Sequence, residues 1–385
     1  MMKVCLLGAS GSIGRQTIDV MTKNRSDFDL VGFSVGLKTK QIPIILKKYP
    51  LVKYICVRNK DDYDLLNKKY PGIHFYYGDE GLISLIQDSN SDMVVNALVG
   101  FVGLAPTLKS LELNKILCLA NKESLVVGGE LVNNLLKQGK GTLYPIDSEH
   151  VALAKCLAVD NKKVDKIIIT ASGGAFRKLT RRQLTYVTPE DALKHPTWNM
   201  GKKITIDSAS MVNKTFEVIE AHYLFGYSFK NIGIMLNYNS FVHSLVLYKN
   251  GEYRLDAGKP DMRVPIKYAL YQGLTPYRTI VTKDLDSIKG TEFGVFDKKR
   301  YPVVKHAKTV INEKGTYGTV LNAANEVAVN AFLNHQIRFT MIEKIINMMM
   351  KMHQSIVHPT YGDIVRVDKE TRETVNYLIK EGGIK

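Results

Sequence analysis

The chain has 385 residues, which is more than one ordinary hydrophobic core accommodates, so we expect two or three domains. Hydrophobic residues make up 45% and charged residues 23% of the chain, and no apolar run approaches the roughly 20 residues of a membrane span, so no membrane partner is expected. The formal net charge of +16 could attract nucleic acid, but Lys and Arg are dispersed and form no zinc-finger or RNP-like pattern. We therefore expect no nucleic acid partner, since phosphorylated small molecules explain part of the charge equally well.

The start of the chain and its cysteines indicate the compartment. A strand-like run begins at Lys3 and leads into a glycine-rich loop, which leaves no room for a signal peptide and predicts a cytoplasmic location. The four cysteines lack C-x-x-C spacing, and Cys5, Cys56 and Cys118 lie in apolar runs where thiols act as small hydrophobic residues. We expect neither disulfides nor a cysteine metal site.

The first part of the chain, residues 1–147, alternates short apolar runs with helical patterns. The runs predicted as buried parallel strands are 4–8, 30–35, 54–57, 93–98, 115–120 and 143–146. Helical stretches such as 104–113 and 130–137 complete β-α units. The pattern predicts an N-terminal doubly wound, Rossmann-type sheet that binds a nucleotide.

The first β-α junction carries the glycines Gly8, Gly11 and Gly14 between a strand and a helix that begins near Ile13. Glycines at such a junction allow a tight turn and a close approach of backbone amides to a pyrophosphate. The spacing G-x-x-G-x-x-G departs from the commoner G-x-G-x-x-G, and a glycine-rich turn without a ligand is the alternative. The position in a doubly wound domain favours nucleotide binding.

The end of the second predicted strand indicates which dinucleotide binds. An NAD enzyme usually places Asp or Glu there, whereas Val35 is followed by Gly-Leu-Lys-Thr-Lys at 36–40. Asp27 and Asp29 precede the strand and would lie at its opposite end. The basic end suits a 2′-phosphate and predicts NADPH.

Two further strand ends carry ionisable residues. Lys122 follows the strand 115–120 at the carboxyl edge, where ligands bind in open α/β sheets, although an ordinary helix-start lysine is the alternative. Asp147 and Glu149 are two residues apart, and an extended backbone would point both carboxylates to one side, as a hard-cation site requires. Capping of the following helix is the alternative for these acids.

The second region, residues 148–272, is predicted to be an α+β catalytic domain. It contains a strand at 167–170 and two alternating runs at 241–249 and 252–255, between which Asn250-Gly251 predicts a type I′ hairpin. Residues 273–300 have a weak pattern and are predicted to be a connector. Residues 301–385 are predicted to form a C-terminal helical domain, with helices at 323–333, 341–352 and 369–380.

A helix predicted over 208–220 would bring polar groups together. Asn213, Glu217 and Glu220 share one face at i, i+4 and i+7, and Lys214 lies beside them. A solvated face with a Lys214–Glu217 pair is the alternative. The hydroxyls of 207–210 at the start of this helix favour a phosphate site.

Two loops complete the candidate site. Residues 195–201 contain His195 and the only tryptophan, Trp198, in a loop bounded by Pro196 and Gly201. A structural histidine and a tryptophan packed on the surface are the alternative, but the phosphate-friendly segment just downstream favours a flap over a substrate. Ser172, followed by two glycines after the strand 167–170, could cradle an anion or form a plain turn.

Eight motifs together resemble the 1-deoxy-D-xylulose 5-phosphate reductoisomerase family, in family order from residue 8 to residue 326. They are Gly8-Ala-Ser-Gly-Ser-Ile-Gly14, Ala120-Asn-Lys-Glu-Ser-Leu-Val126, Asp147-Ser-Glu-His150, Ala171-Ser-Gly-Gly174, His195-Pro-Thr-Trp-Asn-Met-Gly201, Asp207-Ser-Ala-Ser-Met-Val-Asn-Lys214, Pro260-Asp-Met-Arg263 and Val320-Leu-Asn-Ala-Ala-Asn-Glu326. The resemblance implies NADPH- and metal-dependent isomerisation and reduction of 1-deoxy-D-xylulose 5-phosphate to 2-C-methyl-D-erythritol 4-phosphate in non-mevalonate isoprenoid synthesis, by a homodimer.

The resemblance also implies a role for each matching residue. The ligands of Mg²⁺, Mn²⁺ or Co²⁺ would be Asp147, Glu149 and Glu217. The catalytic residues would be Lys122, Asp147, Glu149, Glu217 and His195. The substrate would contact Lys122, Ser148, Glu149, Ser172, His195, Trp198, Met200, Ser208, Asn213, Lys214 and Glu217. NADPH would contact Gly8, Ser10, Gly11, Ser12, Ile13, Gly36, Leu37, Lys38, Asn121, Glu123 and Gly201.

The sequence departs from the family pattern at two places. Tyr238-Asn239 stand where Pro-Gln is usual, and Ala175 stands where Pro is common. Both departures lie outside the implied metal and cofactor positions, so they put dimer or strand packing in question more than chemistry. Two other functions remain open: a different NADP-dependent dehydrogenase would need no metal site, and a nonenzymatic NADP-binding regulator would bind DNA in a salt-sensitive way.

Overall fold

The structure, a computed structural model, describes residues 1–158, 162–198, 200–274, 280–282 and 289–382. Contacts within the chain divide these residues into two units. The first unit comprises 1–124, 131–147 and 261–274, and the second unit comprises the remaining described residues. The C-terminal helices fall in the same unit as the second sheet. The division into three domains with a connector stays a prediction.

The first unit contains one parallel sheet of seven strands. Its strands are β1 (Met2–Leu7), β2 (Phe28–Ser34), β3 (Tyr54–Val57), β4 (His74–Tyr77), β5 (Met93–Asn96), β6 (Ile116–Leu119) and β7 (Thr142–Pro145). Its helices are α1 (Ser12–Lys23), α2 (Ile42–Lys48), α3 (Lys60–Lys69), α4 (Gly78–Asp88), α5 (Leu104–Glu112) and, shared with the second unit, α6 (Glu123–Lys137). The strand order β4-β3-β2-β1-β5-β6-β7 confirms the doubly wound prediction.

The burial of this sheet explains why most of its strands could be predicted from the sequence. Val4, Leu6, Leu30 and Val95 are completely buried, since helices cover both faces of a parallel sheet. The prediction missed β4, whose His74 and Tyr77 are exposed at the edge of the sheet and interrupt the apolar run. Edge strands carry only a weak hydrophobic pattern.

The second unit contains a mixed sheet of six strands. These are β8 (Val164–Ala171), β9 (Ile232–Asn237), β10 (Val242–Tyr248), β11 (Tyr253–Ala257), β12 (Ile280–Thr282) and β13 (Phe293–Val295), in the order β12-β11-β10-β8-β9-β13. Strands β8 and β9 are parallel, and the other neighbours are antiparallel. Strands β12 and β13 come from the stretch predicted to be a connector, and each lies at an edge.

The remaining helices are those of the second unit and one further helix of the first unit. The second unit contains α7 (Ser148–Ala158), α8 (Pro189–Ala192), α9 (Lys202–Ser210) and α10 (Val212–Phe225). Helix α11 (Arg263–Leu270) packs on α1 in the first unit. The C-terminal helices are α12 (Lys305–Glu313), α13 (Tyr317–Leu333), α14 (Phe339–Met352) and α15 (Tyr361–Lys380), which confirm the predicted helical region and extend it.

One hydrophobic core joins the C-terminal helices to the helices of the second sheet. Phe216 of α10, Phe332 of α13 and Ile346 of α14 belong to it, and each is at most 1% exposed. The rings of Phe332 and Phe339 meet edge to face with centroids 5.5 Å apart. This packing holds α9 and α10, which carry much of the candidate site, against a rigid support.

Three local predictions were wrong. The bond from Gly251 N to the Tyr248 carbonyl makes Lys249 and Asn250 the central residues of the turn. Neither has the positive φ that a type I′ turn requires at both central positions, so the hairpin is not type I′. The helix predicted over 208–220 is broken at Met211, whose φ is +66°. Ser208 therefore lies at the end of α9 rather than at a helix start.

Glu149 also differs from its prediction. It lies in the first turn of α7, so the argument from an extended backbone does not apply to it. The helical backbone was the alternative that the sequence left open. None of the described helices is both long and apolar enough to cross a membrane.

Candidate functional site

The glycine-rich loop of the first unit leaves no room for side chains at two of its positions. Gly8 has a φ of +80°, and a Cβ there would lie 2.6 Å from the Ala97 carbonyl oxygen. A Cβ at Gly14 would lie 2.2 Å from the Gly8 carbonyl oxygen. The Gly8 amide donates to the Ser34 hydroxyl at 2.9 Å, which ties the loop to the end of β2. Helix α1 therefore starts in direct contact with the loop.

The N-terminus of α1 is built for an anion. Gly11 is the residue before the helix and provides no side-chain cap, and no acidic residue lies in the first turn. The first backbone N–H groups and the positive end of the helix dipole are then available to a phosphate group. The predicted cofactor contacts Ser10, Gly11, Ser12 and Ile13 lie at this helix start.

The end of β2 lies at the same carboxyl edge, since β2 is parallel to β1 and hydrogen-bonded to it. Gly36, Leu37 and Lys38 are exposed there, and a Cβ at Gly36 would meet no atom within 4 Å. Asp29 lies near the start of β2, at the opposite end, as the sequence predicts. The open, basic edge is compatible with the phosphate of an NADP-type ribose.

Asn121 is a structural cross-link between two strand ends. Its side chain is buried, and its amide donates to the carbonyls of Leu98 at 3.1 Å and Gly100 at 3.0 Å. The same amide donates to the Glu123 carboxylate at 3.2 Å, and its oxygen accepts from the Ser124 amide at 3.1 Å. These contacts occupy the side-chain amide, and a direct cofactor contact by Asn121 stays a prediction.

Lys122 forms a buried ion pair with Asp147 in the first unit. The two side chains are 8% and 9% exposed. Lys122 directly precedes α6 and Asp147 follows β7, so both lie at the carboxyl edge of the sheet. Burial distinguishes Lys122 from an ordinary solvated lysine at a helix start, because burying a charge is costly unless it is paired.

Lys214 lies between two acidic residues in the second unit. Its ammonium donates to the Glu149 carboxylate at 2.9 Å, to the Glu217 carboxylate and to the Thr170 carbonyl. Burial opposes the charged ammonium, but the negative charges of Glu149 and Glu217 outweigh it and raise the pKa of Lys214. The face predicted from the sequence is therefore a buried cluster, and Asn213 joins it through a hydrogen bond to Glu217.

His150 is a residue that the sequence interpretation did not single out. Its Nε2 lies 3.0 Å from the Glu217 carbonyl, and its Nδ1 lies 3.4 Å from the Glu220 carboxylate. Both side chains are buried. His150 therefore connects α7 to α10 next to Glu149 and Glu217. Its position directly after Asp-Ser-Glu was the only sequence signal.

A second cluster of the same unit surrounds His195. Its Nε2 lies 3.2 Å from the Ser172 hydroxyl and 3.1 Å from the Ser208 hydroxyl. Its Nδ1 accepts hydrogen bonds from the backbone N–H groups of Thr197 at 3.2 Å and Trp198 at 2.9 Å. An Nδ1 that accepts cannot carry a proton, so the neutral ring carries its proton on Nε2 and directs it towards the serines.

The ionisation of His195 agrees with this tautomer. Burial, and secondarily the charge of Arg177, lower the pKa of His195 to about 4. Arg177 itself donates to the carbonyls of Ser172 at 3.2 Å and Tyr238 at 2.6 Å. The sequence interpretation missed Arg177, which supports the loop that carries Ser172.

The remaining predicted residues of the loop at 195–201 are partly buried or exposed. Trp198 is half-buried, and its ring lies 6.4 Å from the ring of His243. Met200 is half-buried, and Gly201 is exposed directly before α9. Residue 199 lies outside the described residues.

Tyr238 stands at one of the departures from the family pattern, and its packing is visible. A Cβ at Gly294 of β13 would lie 2.5 Å from the Tyr238 hydroxyl, so the ring covers a glycine of the neighbouring strand. The Arg177 guanidinium lies over the Tyr238 ring at 5.4 Å. Tyr238 therefore packs against β13 and Arg177, and the effect of the departure on strand or dimer packing stays a question that the sequence leaves open.

The two units together define a class of protein. A doubly wound parallel sheet with a glycine-rich first turn is typical of dinucleotide-binding α/β oxidoreductases, and the second unit supplies the polar clusters of an attached catalytic region. The family model described as 1-deoxy-D-xylulose 5-phosphate reductoisomerase matches residues 4–129. Models of the C-terminal domains of the same family match residues 143–225 and 257–374. The chain belongs to the 1-deoxy-D-xylulose 5-phosphate reductoisomerase family.

Individual relatives agree with this assignment. The reductoisomerase of Lysinibacillus sphaericus (strain C3-41) is 43% identical over 385 residues, which cover 99% of this chain and all of the relative. That of Geobacillus kaustophilus (strain HTA426) is 43% identical over 379 residues, which cover 98% and 99% of the two chains.

Solved structures give the same result for the fold. A reductoisomerase crystal structure in complex with NADPH, fosmidomycin and magnesium has a TM-score of 0.89 and 32% identity, covering 99% of this chain and 98% of the other. The Zymomonas mobilis enzyme in complex with NADPH has a TM-score of 0.87 and 32% identity, covering 98% and 99%. The predicted family and fold are confirmed.

Proposed function

We propose that this chain catalyses the NADPH- and divalent-metal-dependent isomerisation and reduction of 1-deoxy-D-xylulose 5-phosphate to 2-C-methyl-D-erythritol 4-phosphate, in non-mevalonate isoprenoid synthesis. Membership of the family supports the proposal over the full length of the chain. The observation that carries it is the position of Lys214, because two acidic side chains, Glu149 and Glu217, already hold a positive charge between them.

The residues around Lys214 fit a hard divalent cation. Carboxylate oxygens are the donors that Mg²⁺ and Mn²⁺ prefer. We assign Glu149 and Glu217 as ligands, with Asp147, two residues before Glu149 in the chain, as the third. The ion is Mg²⁺, Mn²⁺ or Co²⁺, and its chemistry is to withdraw charge from the carbonyl and hydroxyl oxygens of the substrate.

The first unit fits NADPH. The uncapped start of α1 and the tight approach at Gly8 provide backbone N–H groups for a pyrophosphate. The exposed basic edge after β2 would hold the 2′-phosphate. The proposed contacts are Gly8, Ser10, Gly11, Ser12, Ile13, Gly36, Leu37, Lys38, Asn121, Glu123 and Gly201.

The cluster around His195 fits the phosphate end of the substrate. His195 donates from Nε2 at neutral pH, and Ser172 and Ser208 supply hydroxyls beside it. The proposed substrate contacts are Lys122, Ser148, Glu149, Ser172, His195, Trp198, Met200, Ser208, Asn213, Lys214 and Glu217. Lys122, paired with Asp147, would supply a positive charge near the reacting atoms, while Trp198 and Met200 would exclude water.

The proposal is tested by NADPH oxidation with 1-deoxy-D-xylulose 5-phosphate, with and without a divalent metal. Glu149→Gln and Glu217→Gln should each lower turnover by about 100-fold or more, because each removes a charged ligand. NADPH binding, followed by its fluorescence, should stay within about twofold of the wild type because the carboxylates serve the cation rather than the nucleotide. Glu252→Gln is the control, because this acid lies in the turn between β10 and β11 and its side chain is 39% exposed. Full activity in a chelator would refute the metal requirement.

We also propose a homodimer that works in the cytoplasm. The second sheet ends on β13, where Val295 is 92% exposed, and an exposed edge strand is a template for pairing with another chain. Light scattering on the purified protein tests the oligomeric state, and Val295→Lys should shift it towards monomer if β13 forms the interface. Cell fractionation tests the location.

A further inference from the structure

Lys214 pairs with Glu149 and Glu217 in this structure and is also a proposed substrate contact, and one ammonium group cannot do both at the same time. An ammonium has three N–H donors. In this structure all three have acceptors, which are the carboxylates of Glu149 and Glu217 and the carbonyl of Thr170. Lys214 in this state has no donor left for a substrate phosphate.

In this state the Lys214 ammonium occupies the place between the two carboxylates that a divalent cation would take. Lys214 is 4% exposed and Glu217 is 1% exposed, so the charges interact in a poorly screened environment. A divalent cation that used both carboxylates would meet the ammonium at contact distance. One of the two cations must leave.

The contact with Thr170 shows where the ammonium can go. Thr170 is the penultimate residue of β8, and Ser172 follows the strand directly. Two residues of extended chain span roughly 7 Å, which the flexible four-carbon stem of a lysine can cover by changing rotamers. Ser172 belongs to the His195 cluster, to which the phosphate end of the substrate has been assigned.

We propose that Lys214 is an exchange group, which neutralises Glu149 and Glu217 in the metal-free enzyme and moves to the phosphate end of the substrate when a divalent cation binds. The inference rests on the proposed function, because it takes the metal ligands and the phosphate site from there. Metal and phosphate should then bind with positive cooperativity, and each should tighten the other by the same factor.

The first experiment measures Mn²⁺ binding by electron paramagnetic resonance on the full chain, without substrate. Lys214→Met should bind Mn²⁺ at least about tenfold more tightly than the wild type, since no ammonium has to be displaced. Lys203→Met removes another lysine of the second unit that is paired with an acid, Asp207, and should change the affinity less than twofold. An unchanged or weaker affinity in Lys214→Met overturns the exchange.

Thermal unfolding gives a second readout of the same variant. Without metal, Lys214→Met should melt several degrees below the wild type, because the buried Glu217 and the partly buried Glu149 lose their counter-charge. Mn²⁺ should restore more of the melting temperature in this variant than it adds to the wild type. Equal metal-dependent shifts in both proteins contradict the proposal.

A third measurement needs no variant that could misfold. In the wild type, methylphosphonate should tighten Mn²⁺ binding several-fold, and Mn²⁺ should tighten methylphosphonate binding by the same factor. In the Lys203→Met control this linkage should persist. Independent binding of the two probes to the wild type overturns the proposal.

Glu217→Gln separates failure of this inference from failure of the proposed function. If Glu217→Gln binds Mn²⁺ as tightly as the wild type, the metal assignment itself is wrong and the exchange falls with it. If Glu217→Gln weakens Mn²⁺ binding but Lys214→Met does not tighten it, the metal assignment holds and only the exchange is wrong.

Discussion

The backbone N–H of Trp198 donates a hydrogen bond to Nδ1 of His195 at 2.9 Å. The imidazole thus holds the loop that carries the only tryptophan, while its other nitrogen faces Ser172 and Ser208. A ligand that engages Nε2 is connected through one rigid ring to the backbone of the loop.

This connection predicts that Trp198 reports ligand binding. Its half-buried ring should move into a more apolar environment when a phosphonate substrate analogue and a divalent metal bind together, so its fluorescence emission should change. Trp198→Ala should weaken binding of the analogue roughly tenfold and lower the melting temperature little, because a partly exposed loop contributes little to the core. Trp198→Phe keeps an aromatic ring, so its affinity for the analogue should lie between those of the wild type and Trp198→Ala. An unchanged spectrum at saturation would mean that the ring packs structurally.

A second prediction concerns acid stability. The folded-state pKa of His195 is lowered, first by burial and then by Arg177, from 6.5 to about 4. As the pH falls, His195 is therefore protonated in the unfolded chain before it is protonated in the folded chain. The contribution of neutral His195 to the free energy of unfolding is present above pH 6.5 and is lost as the pH falls from 6.5 through 4. We expect the free energy of unfolding to fall by about 1–2 kcal/mol from this source, which is less than the full pKa shift implies, because water screens a part-buried ring.

Urea unfolding between pH 7.5 and pH 4.5 checks this prediction. His195→Asn retains an acceptor near the Nδ1 position but does not titrate, so its free energy of unfolding should fall less than that of the wild type over this range. His358→Gln, at a histidine whose side chain is 84% exposed, is the matched control and should follow the wild type. Parallel curves for the wild type and His195→Asn would refute the assignment.

Lys38 predicts the cofactor preference. NADPH should outperform NADH strongly at equal concentration, and Lys38→Gln should reduce that preference roughly tenfold by removing one charge-assisted contact with the 2′-phosphate. The affinity for NADH should not change, since NADH lacks that phosphate. Lys47→Gln, which removes an exposed lysine from α2, controls for net charge. Steady-state kinetics with both cofactors measure the effect, and an equal loss for both would contradict a phosphate contact.

Two glycines in helices of the second unit predict opposite effects on stability. A Cβ at Gly318 of α13 would lie 1.9 Å from the Val126 carbonyl oxygen, so Gly318→Ala should destabilise the protein by about 2–4 kcal/mol through overpacking against backbone. A Cβ at Gly362 of α15 would meet only the Thr360 hydroxyl, at 3.7 Å. Gly362→Ala should be stabilising by about 0.5–1 kcal/mol from helix propensity. Urea denaturation of both variants measures the difference.

Local patterns in the sequence were sufficient for much of the fold. The strands of the first sheet were predictable because helices cover both faces and make the strands apolar throughout, and the glycine loop because only glycine accepts the backbone of Gly8. The helices of the C-terminal region were predictable from their period. Strand β4 was not, since an exposed edge loses that pattern.

The sequence by itself determined the family, the type of sheet and the residue types of the candidate site, because these depend on motifs and short-range periodicity. Only the tertiary structure decided which groups meet. The Nε2 of His195 meets Ser172, 23 positions earlier, and Lys214 meets Glu149, 65 positions earlier. The sequence shows that residue 214 is a lysine, but it does not show whether this lysine contacts a phosphate or a carboxylate. Its partner is set by the packing of α7, β8 and α10, which no local pattern specifies.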